Sequence, residues 1–522
     1  MNIRLKYAIA SIALGISIGS CSRDFLHVDP VGRTLEANHY QNQEQAFEAL
    51  VAIYDVLQWN DQNGYTMEHL LMNVASDDTY AGGSDASDQP SWVATNNFTF
   101  DANLGPHSGF WKKAYRGIFR ANYYIQLIDE VPETSEAFKI RTKAEAKFLR
   151  AKFYIDLMRY FGNAPLITEP QGADDYFNLN IPGPSGLMTQ IETDLTDAID
   201  NLPETVSGNE MGRVTKSAAQ ALLARAYLFS NDATKMSDVA SLCEDIITSN
   251  LYSLEPNYGD IFTSQKQWGQ EVIWALHMTE DLDGNWWEHE GSWISIFFGD
   301  RDMGWGYGFN NPTQDFVDAF EVGDERKDAS IVFDGESIPG TFSGVPHDFN
   351  GGSWNPETGY LCQKYLIPDN ERPTTVDCNS NLDYIFLRYS DILLMHAEAC
   401  MEMNVSDEFQ GNSSLALVRE RAGLPSYPDS ATIASYKEKS LLNHEDLRAV
   451  IYHERRVEFG LEHERFYDLV RWGDAGIVFQ NFNDNGNDYG KNNFVVGCNE
   501  LLPIPGDDVN NSGGLITQNP CY

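Results

Sequence analysis

The chain has 522 residues, 42% of them hydrophobic, with 36 Lys and Arg against 77 Asp and Glu and a formal net charge of −41. That length buries a large core, as one big domain or two closely packed lobes. The acidic balance excludes a nucleic-acid partner, which needs a basic footprint, and a polybasic membrane-binding surface.

Residues 1–20 read as an export signal. Arg4 and Lys6 make a positive start, and 7–18 form an apolar stretch too short to span a membrane. The stretch closes on Ile18-Gly19-Ser20-Cys21, small residues before a cysteine, as a lipoprotein signal peptidase requires. Cys21 is therefore the expected lipidation site, and acyl chains the only expected membrane anchor. Residues 21–35 follow as a tether.

From 36 to 253 the chain reads as the first part of a helical repeat lobe. Apolar residues recur at helical spacing in 44–59, 111–131, 142–161, 185–202, 215–229 and 239–249. Gly162 and Pro165 end the third of these. An irregular acidic stretch, 76–109, interrupts them with Asp77, Asp78, Tyr80, Asp85, Asp88, Trp92, Asn96 and Asn97.

The segment 254–381 is rich in Gly, Asn, Trp, Tyr and Pro, with short strand-like runs such as Val272-Ile273-Trp274-Ala275-Leu276. It reads as a loop-rich aromatic insertion packed on the helices. Of 11 tryptophans, Trp268, Trp274, Trp286, Trp287, Trp293 and Trp305 cluster here, extended by Tyr307 and Phe309. Trp268 and Trp274 fit a core role. Trp286, Trp287, Trp293 and Trp305 sit among Gly, Asp, Glu and Asn, a setting that suits rings offered to the apolar faces of sugars.

Helical spacing resumes in 382–480, at 389–403, 413–422 and 443–472, and 481–522 is an irregular C-terminal segment. Leu222-Leu223-Ala224-Arg225-Ala226-Tyr227 and Leu393-Leu394-Met395-His396-Ala397-Glu398-Ala399 set large apolar residues one turn from alanine. That pattern packs helices in close antiparallel pairs, the logic of tetratricopeptide-type repeats.

Besides Cys21 there are Cys243, Cys362, Cys378, Cys400, Cys498 and Cys521, which allow 15 pairings. Cys362 with Cys378 and Cys498 with Cys521 suit loop staples, and Cys243 and Cys400 suit buried thiols. Their scatter excludes a CxxC zinc cluster. His453-Glu454 starts like a zinc-protease motif, but Val457 stands where the second histidine is needed. Glu454, Arg455, Glu458, Glu462 and Arg465 are spaced for ion pairs instead. Asp281-Leu282-Asp283-Gly284-Asn285 is a calcium-loop fragment without its bidentate Glu, so a structural calcium stays open and no other metal or cofactor is expected. No GxSxG elbow, phosphate loop or dinucleotide fingerprint occurs, and no catalytic residue is expected.

Several blocks together resemble one family. They are Cys21 with Asp24-Phe25-Leu26; Glu145-Ala146-Lys147-Phe148-Leu149-Arg150-Ala151 followed by Phe161-Gly162; Gly212-Arg213-Val214-Thr215-Lys216; Arg388-Tyr389-Ser390-Asp391-Ile392-Leu393-Leu394-Met395; Glu454-Arg455-Arg456-Val457-Glu458-Phe459; and Leu502-Pro503-Ile504-Pro505. In this order they are similar to the SusD-like (RagB/SusD) nutrient-uptake lipoproteins of the Bacteroidetes. The closing Cys521-Tyr522 departs from the usual Gly-Tyr.

The resemblance implies a mainly α fold, a tetratricopeptide-like helical superhelix with a loop-rich inserted lobe containing short strands. It also implies an outer-membrane, surface-exposed location, a SusC-like TonB-dependent transporter as partner, and glycan capture without catalysis. In that family the loop corresponding to 76–109 lends ligand-site residues. The expected platform is therefore Trp286, Trp287, Trp305 and Tyr307 with Trp92, Asn96 and Asp78. No Lys or Arg occurs in 34–111 or 267–300, so a neutral oligo- or polysaccharide is the expected ligand. A peptide- or protein-capturing lipoprotein of the same fold is the first alternative, and a secreted acidic-cleft glycosidase the second.

Overall fold

The computed structural model describes residues 40–522 apart from 60–66, 86, 173–174, 176–177, 280–290, 339, 342–343, 350–353, 375–378 and 410–411. Ten helices carry the scaffold: α1 (Gln43–Gln58), α2 (His107–Leu127), α3 (Glu136–Phe161), α4 (Gly183–Asn201), α5 (Lys216–Ser230), α6 (Met236–Ser249), α7 (Tyr389–Glu402), α8 (Ser414–Arg421), α9 (Asp446–Phe459) and α10 (Arg465–Trp472). Each of α2 to α7 packs on the helix before it, so the insertion between α6 and α7 leaves the stack unbroken. The fold is mainly helical with small sheets, as expected.

Local chemistry sets the helix ends. The Ser135 hydroxyl accepts the Phe138 N–H at 3.3 Å to start α3, and Thr215 does the same for Ala218 at the head of α5. Gly162, at φ +67°, stops α3. Ala144, Ala146 and Ala151 on α3, and Ala218, Ala219, Ala221, Ala224 and Ala226 on α5, are fully buried, so small side chains let the axes approach. α2 and α3 also approach closely: a Cβ on Gly117 would lie 2.1 Å from the Phe153 ring.

Among the described residues the small sheets are four antiparallel pairs: β1 (Thr79–Gly82) with β3 (Phe309–Pro312), β2 (Val272–Leu276) with β6 (Tyr384–Arg388), β4 (Ile331–Val332) with β5 (Leu361–Cys362), and β7 (Glu408–Phe409) with β8 (Asn412–Ser413). Trp274, on β2, is core as expected, stacked on Phe386 and edge-on to Phe148.

The expected single helix over 443–472 is two helices. Between α9 and α10, Gly460 leaves no room for a Cβ, which would lie 2.1 Å from the Phe316 ring, and Leu461 and His463 take positive φ. The expected ion pairs are present and buried. Arg326 ties Asp324 to Glu454 and Glu458 of α9, Arg388 ties Glu271 to Glu458 and Glu462, and Arg456 reaches Asp77, Asp78 and Asp315. Cys498 and Cys521 form a disulfide, while Cys243, Cys362 and Cys400 are buried thiols and Cys378 lies outside the described residues. Among the described residues no helix is long and apolar enough to cross a membrane.

Candidate functional site

β1, in the first stretch free of Lys and Arg, pairs with β3, which lies just beyond the second, Tyr80 opposite Asn311 and Gly82 opposite Phe309, while Trp92 of the first stretch packs on Phe297 of the second. Glycines shape the loops leaving this ladder. Gly82 and Gly83 turn the chain after β1, and Gly304, Gly306 and Gly308 turn it before β3, all at positive φ. The Gly83 N–H donates to the Gly308 carbonyl at 2.8 Å and locks one loop to the other.

Trp354 sits on this join. Its indole N–H donates to the Gly83 carbonyl at 2.8 Å, and its backbone N–H donates to Asp302 Oδ2 at 2.9 Å. The ring lies over Gly308, where any Cβ would meet it at 2.3 Å. It is half-buried, fixed at its polar edge and along one face. Around it, Arg301 donates to the Tyr307 carbonyl at 2.8 Å and pairs with Asp88 at 3.4 Å. Asp85 and Asp88 are pre-set by their own loop, accepting the Ser87 and Ser84 N–H groups at 2.8 and 2.9 Å. Tyr80 stacks obliquely on Tyr489 at 4.9 Å, and burial and then the Glu357 carboxylate hold its hydroxyl well above the usual phenol range. The half-exposed rings of Trp354 and Tyr489, two loop carboxylates and a neutralised guanidinium thus surround one glycine-lined surface, with the buried Tyr80 beneath. That combination stacks apolar faces and accepts hydroxyl hydrogen bonds.

The structure separates the expected platform residues. Trp92 is fully buried, packed between Phe297 and Phe309 at 5.2 and 4.6 Å, and presents no face to a ligand. Asn96 is also fully buried. Its amide donates to the Tyr489 carbonyl at 2.6 Å and its oxygen accepts from the Lys491 ammonium at 2.9 Å. Burial pushes that ammonium down to about 7, against the pull of Asp77 and Asp78.

Asp78 is buried and accepts from Arg456 at 2.7 Å, and burial raises its carboxyl to about 6 although Arg456 opposes the shift. These three residues hold the base of the ladder, and a polar sequence neighbourhood did not predict exposure. Trp305 is 6% exposed, its inner face covered by the core and its ring 4.7 Å from the Arg372 guanidinium. Trp293 is buried as well. Tyr307 is half-buried beside the join, edge-on to Phe297 at 5.2 Å. Trp286, Trp287 and the calcium-loop fragment 281–285 lie outside the described residues, as does Cys21.

Sequence reasoning missed Trp354, though Trp354-Asn355 follows Gly351-Gly352-Ser353 in the same kind of neighbourhood that singled out Trp286. A concavity of about 630 Å³ lies elsewhere, along the outer face of α2, with Trp59, Tyr115 and Phe119 in its wall. It contains none of the expected residues.

A SusD family model matches residues 270–522, and a second model, described as starch-binding associating with outer membrane, matches residues 33–228. SusD-like protein P25 of Formosa agariphila is 26% identical over 502 residues, 90% of each chain. Among solved structures, a laminarin binding SusD-like protein is 31% identical at a TM-score of 0.77, covering 92% of this chain and 100% of that one. Surface glycan-binding protein A from Bacteroides fluxus is 26% identical, with the same TM-score and coverage.

Proposed function

Since the chain belongs to the SusD family, we propose that it captures a neutral glycan at the cell surface, held to the outer membrane by acyl chains on Cys21. In this reading it hands the glycan to a TonB-dependent transporter of the SusC kind for nutrient uptake, and carries out no chemistry on it. The observation that carries the reading is the 31% identity to a laminarin-binding protein, which extends over the whole of that protein's length. The Trp354 surface supports it independently. Arg301 is answered by Asp88 and a backbone carbonyl, while Asp85 and exposed Glu357 remain acidic, so the surface favours an uncharged chain over a uronate or sulfated one.

Calorimetry of the full chain with laminarin, alongside a panel of neutral polysaccharides, tests the reading. Saturable binding without release of reducing ends is the expected result. Reproducible turnover would restore the glycosidase reading. Binding of peptides with none of any glycan would favour the peptide-capturing alternative. Cell fractionation of Cys21→Ala tests the anchor, with release from the membrane and an intact fold expected.

A further inference from the structure

One cluster of metal-capable side chains lies away from the ligand surface. His396 and Cys400 stand one turn apart on α7, 6% and 4% exposed. The Cys400 Sγ is 3.6 Å from His396 Nε2. On the opposite edge of the ring, Nδ1 faces Asp407 Oδ1 at 3.1 Å and Ser414 Oγ at 2.9 Å. Asp407 is itself fixed, because its two oxygens accept the Ser414 and Leu415 N–H groups at 3.2 Å each, at the head of α8. One donor atom from each of His396, Cys400 and Asp407 lies within 4.8 Å of the others, and among the described residues no other such group occurs.

We propose that His396 Nε2 and Cys400 Sγ bind a borderline divalent cation of the zinc class, with Asp407 orienting the imidazole from its far nitrogen. The separation fits. Zinc–sulfur and zinc–nitrogen bonds of about 2.3 and 2.0–2.1 Å at a tetrahedral angle place the two donor atoms roughly 3.5 Å apart. The residues 389–400 of α7 are buried throughout, so both donors are already aimed and little ordering is needed.

A carboxylate on the second imidazole nitrogen is the arrangement that directs the free lone pair to a metal and raises its basicity. His396 and Cys400 fill two positions of the shell, and water takes the others. The ion replaces the thiol proton, which leaves to solvent, so affinity rises with pH. A mixed sulfur–nitrogen pair selects zinc, cobalt or copper over calcium or magnesium, which take oxygen.

Cobalt(II) titration of the reduced full chain gives the test, because only thiolate ligation yields a sulfur-to-cobalt charge-transfer band. Carboxylates on this acidic surface bind cobalt without it. A band saturating at one cobalt per chain, and bleached by zinc, is expected. Cys400→Ser and His396→Gln each abolish the band, and Asp407→Asn weakens binding about ten- to a hundredfold, as loss of an orienting partner does. No band in the wild-type chain, or a band that survives either ligand substitution, overturns the proposal. If Cys400→Ser does not fold, as judged by circular dichroism, His396→Gln decides the matter with the thiol in place.

Discussion

Asn73 holds His463 across 390 residues of chain: its side-chain oxygen accepts the His463 N–H at 2.7 Å, while its amide donates to the Leu461 carbonyl at 2.8 Å. The two bonds satisfy backbone groups that the break between α9 and α10 would leave unpaired in the interior.

Replacing Asn73 with Ala therefore orphans a buried donor and a buried acceptor. A loss of about 2–4 kcal/mol is expected from unmet desolvation at both groups. Urea denaturation measures it, and an unchanged midpoint would show that the break holds without the clasp.

Trp354→Ala should weaken laminarin binding roughly 10- to 100-fold, the loss of about 1–3 kcal/mol typical of a stacking anchor. Trp92 gives the contrast. Its ring is enclosed by Phe297 and Phe309, so Trp92→Phe should lower stability yet leave affinity intact. Calorimetry on both variants separates binding face from core, and equal affinity in Trp354→Ala and wild type would move the site elsewhere.

That contrast marks how far the sequence was legible. The long helices were, because their apolar spacing and alanine seams record directly which face is buried. The overrun at 443–472 was not, since periodicity continues through Gly460 and only Phe316, distant in sequence, forbids the helix there. The meeting of the two stretches poor in cations was legible as composition. The fate of each residue in them was not. Asp78 and Asn96 look solvated in sequence, but Arg456 and Lys491, nearly 400 residues on, draw them inside.

Gly117→Ala tests the α2–α3 seam. The added methyl meets the Phe153 ring, which is 1% exposed and has nowhere to turn. Overpacking of this kind costs about 1–3 kcal/mol. A thermal melt reads it, and a neutral or stabilising result would show that the seam relaxes.

Glu464 governs part of the acid limb. Burial pushes its carboxyl up, but Arg159 at 2.9 Å and Arg225 at 3.2 Å outweigh burial and hold it well below the usual carboxylate range. A carboxyl with a depressed folded pKa contributes stability that is fully present above its unfolded pKa and lost as pH falls toward the folded value. The wild type should therefore lose stability progressively below about pH 4.5, near the ordinary Glu value. Glu464→Gln should be weaker by about 3–5 kcal/mol at pH 7, because the buried Arg159 and the partly buried Arg225 each lose a partner, and should show a shallower decline in acid. Urea midpoints from pH 7 to pH 3 compare the two, and parallel curves would remove Glu464 from the acid response.

The arginines gathered inside the fold also shape how other molecules first meet it. Arg326, Arg388, Arg455 and Arg456 cancel against interior carboxylates, so the excess negative charge falls on the outer surface with few cations to interrupt it. Such a surface carries a halo of counter-ions and keeps acidic polymers at a distance that shortens as ionic strength rises. An uncharged polysaccharide feels no such field, and its encounter rate should stay flat from dilute buffer to seawater-like salt.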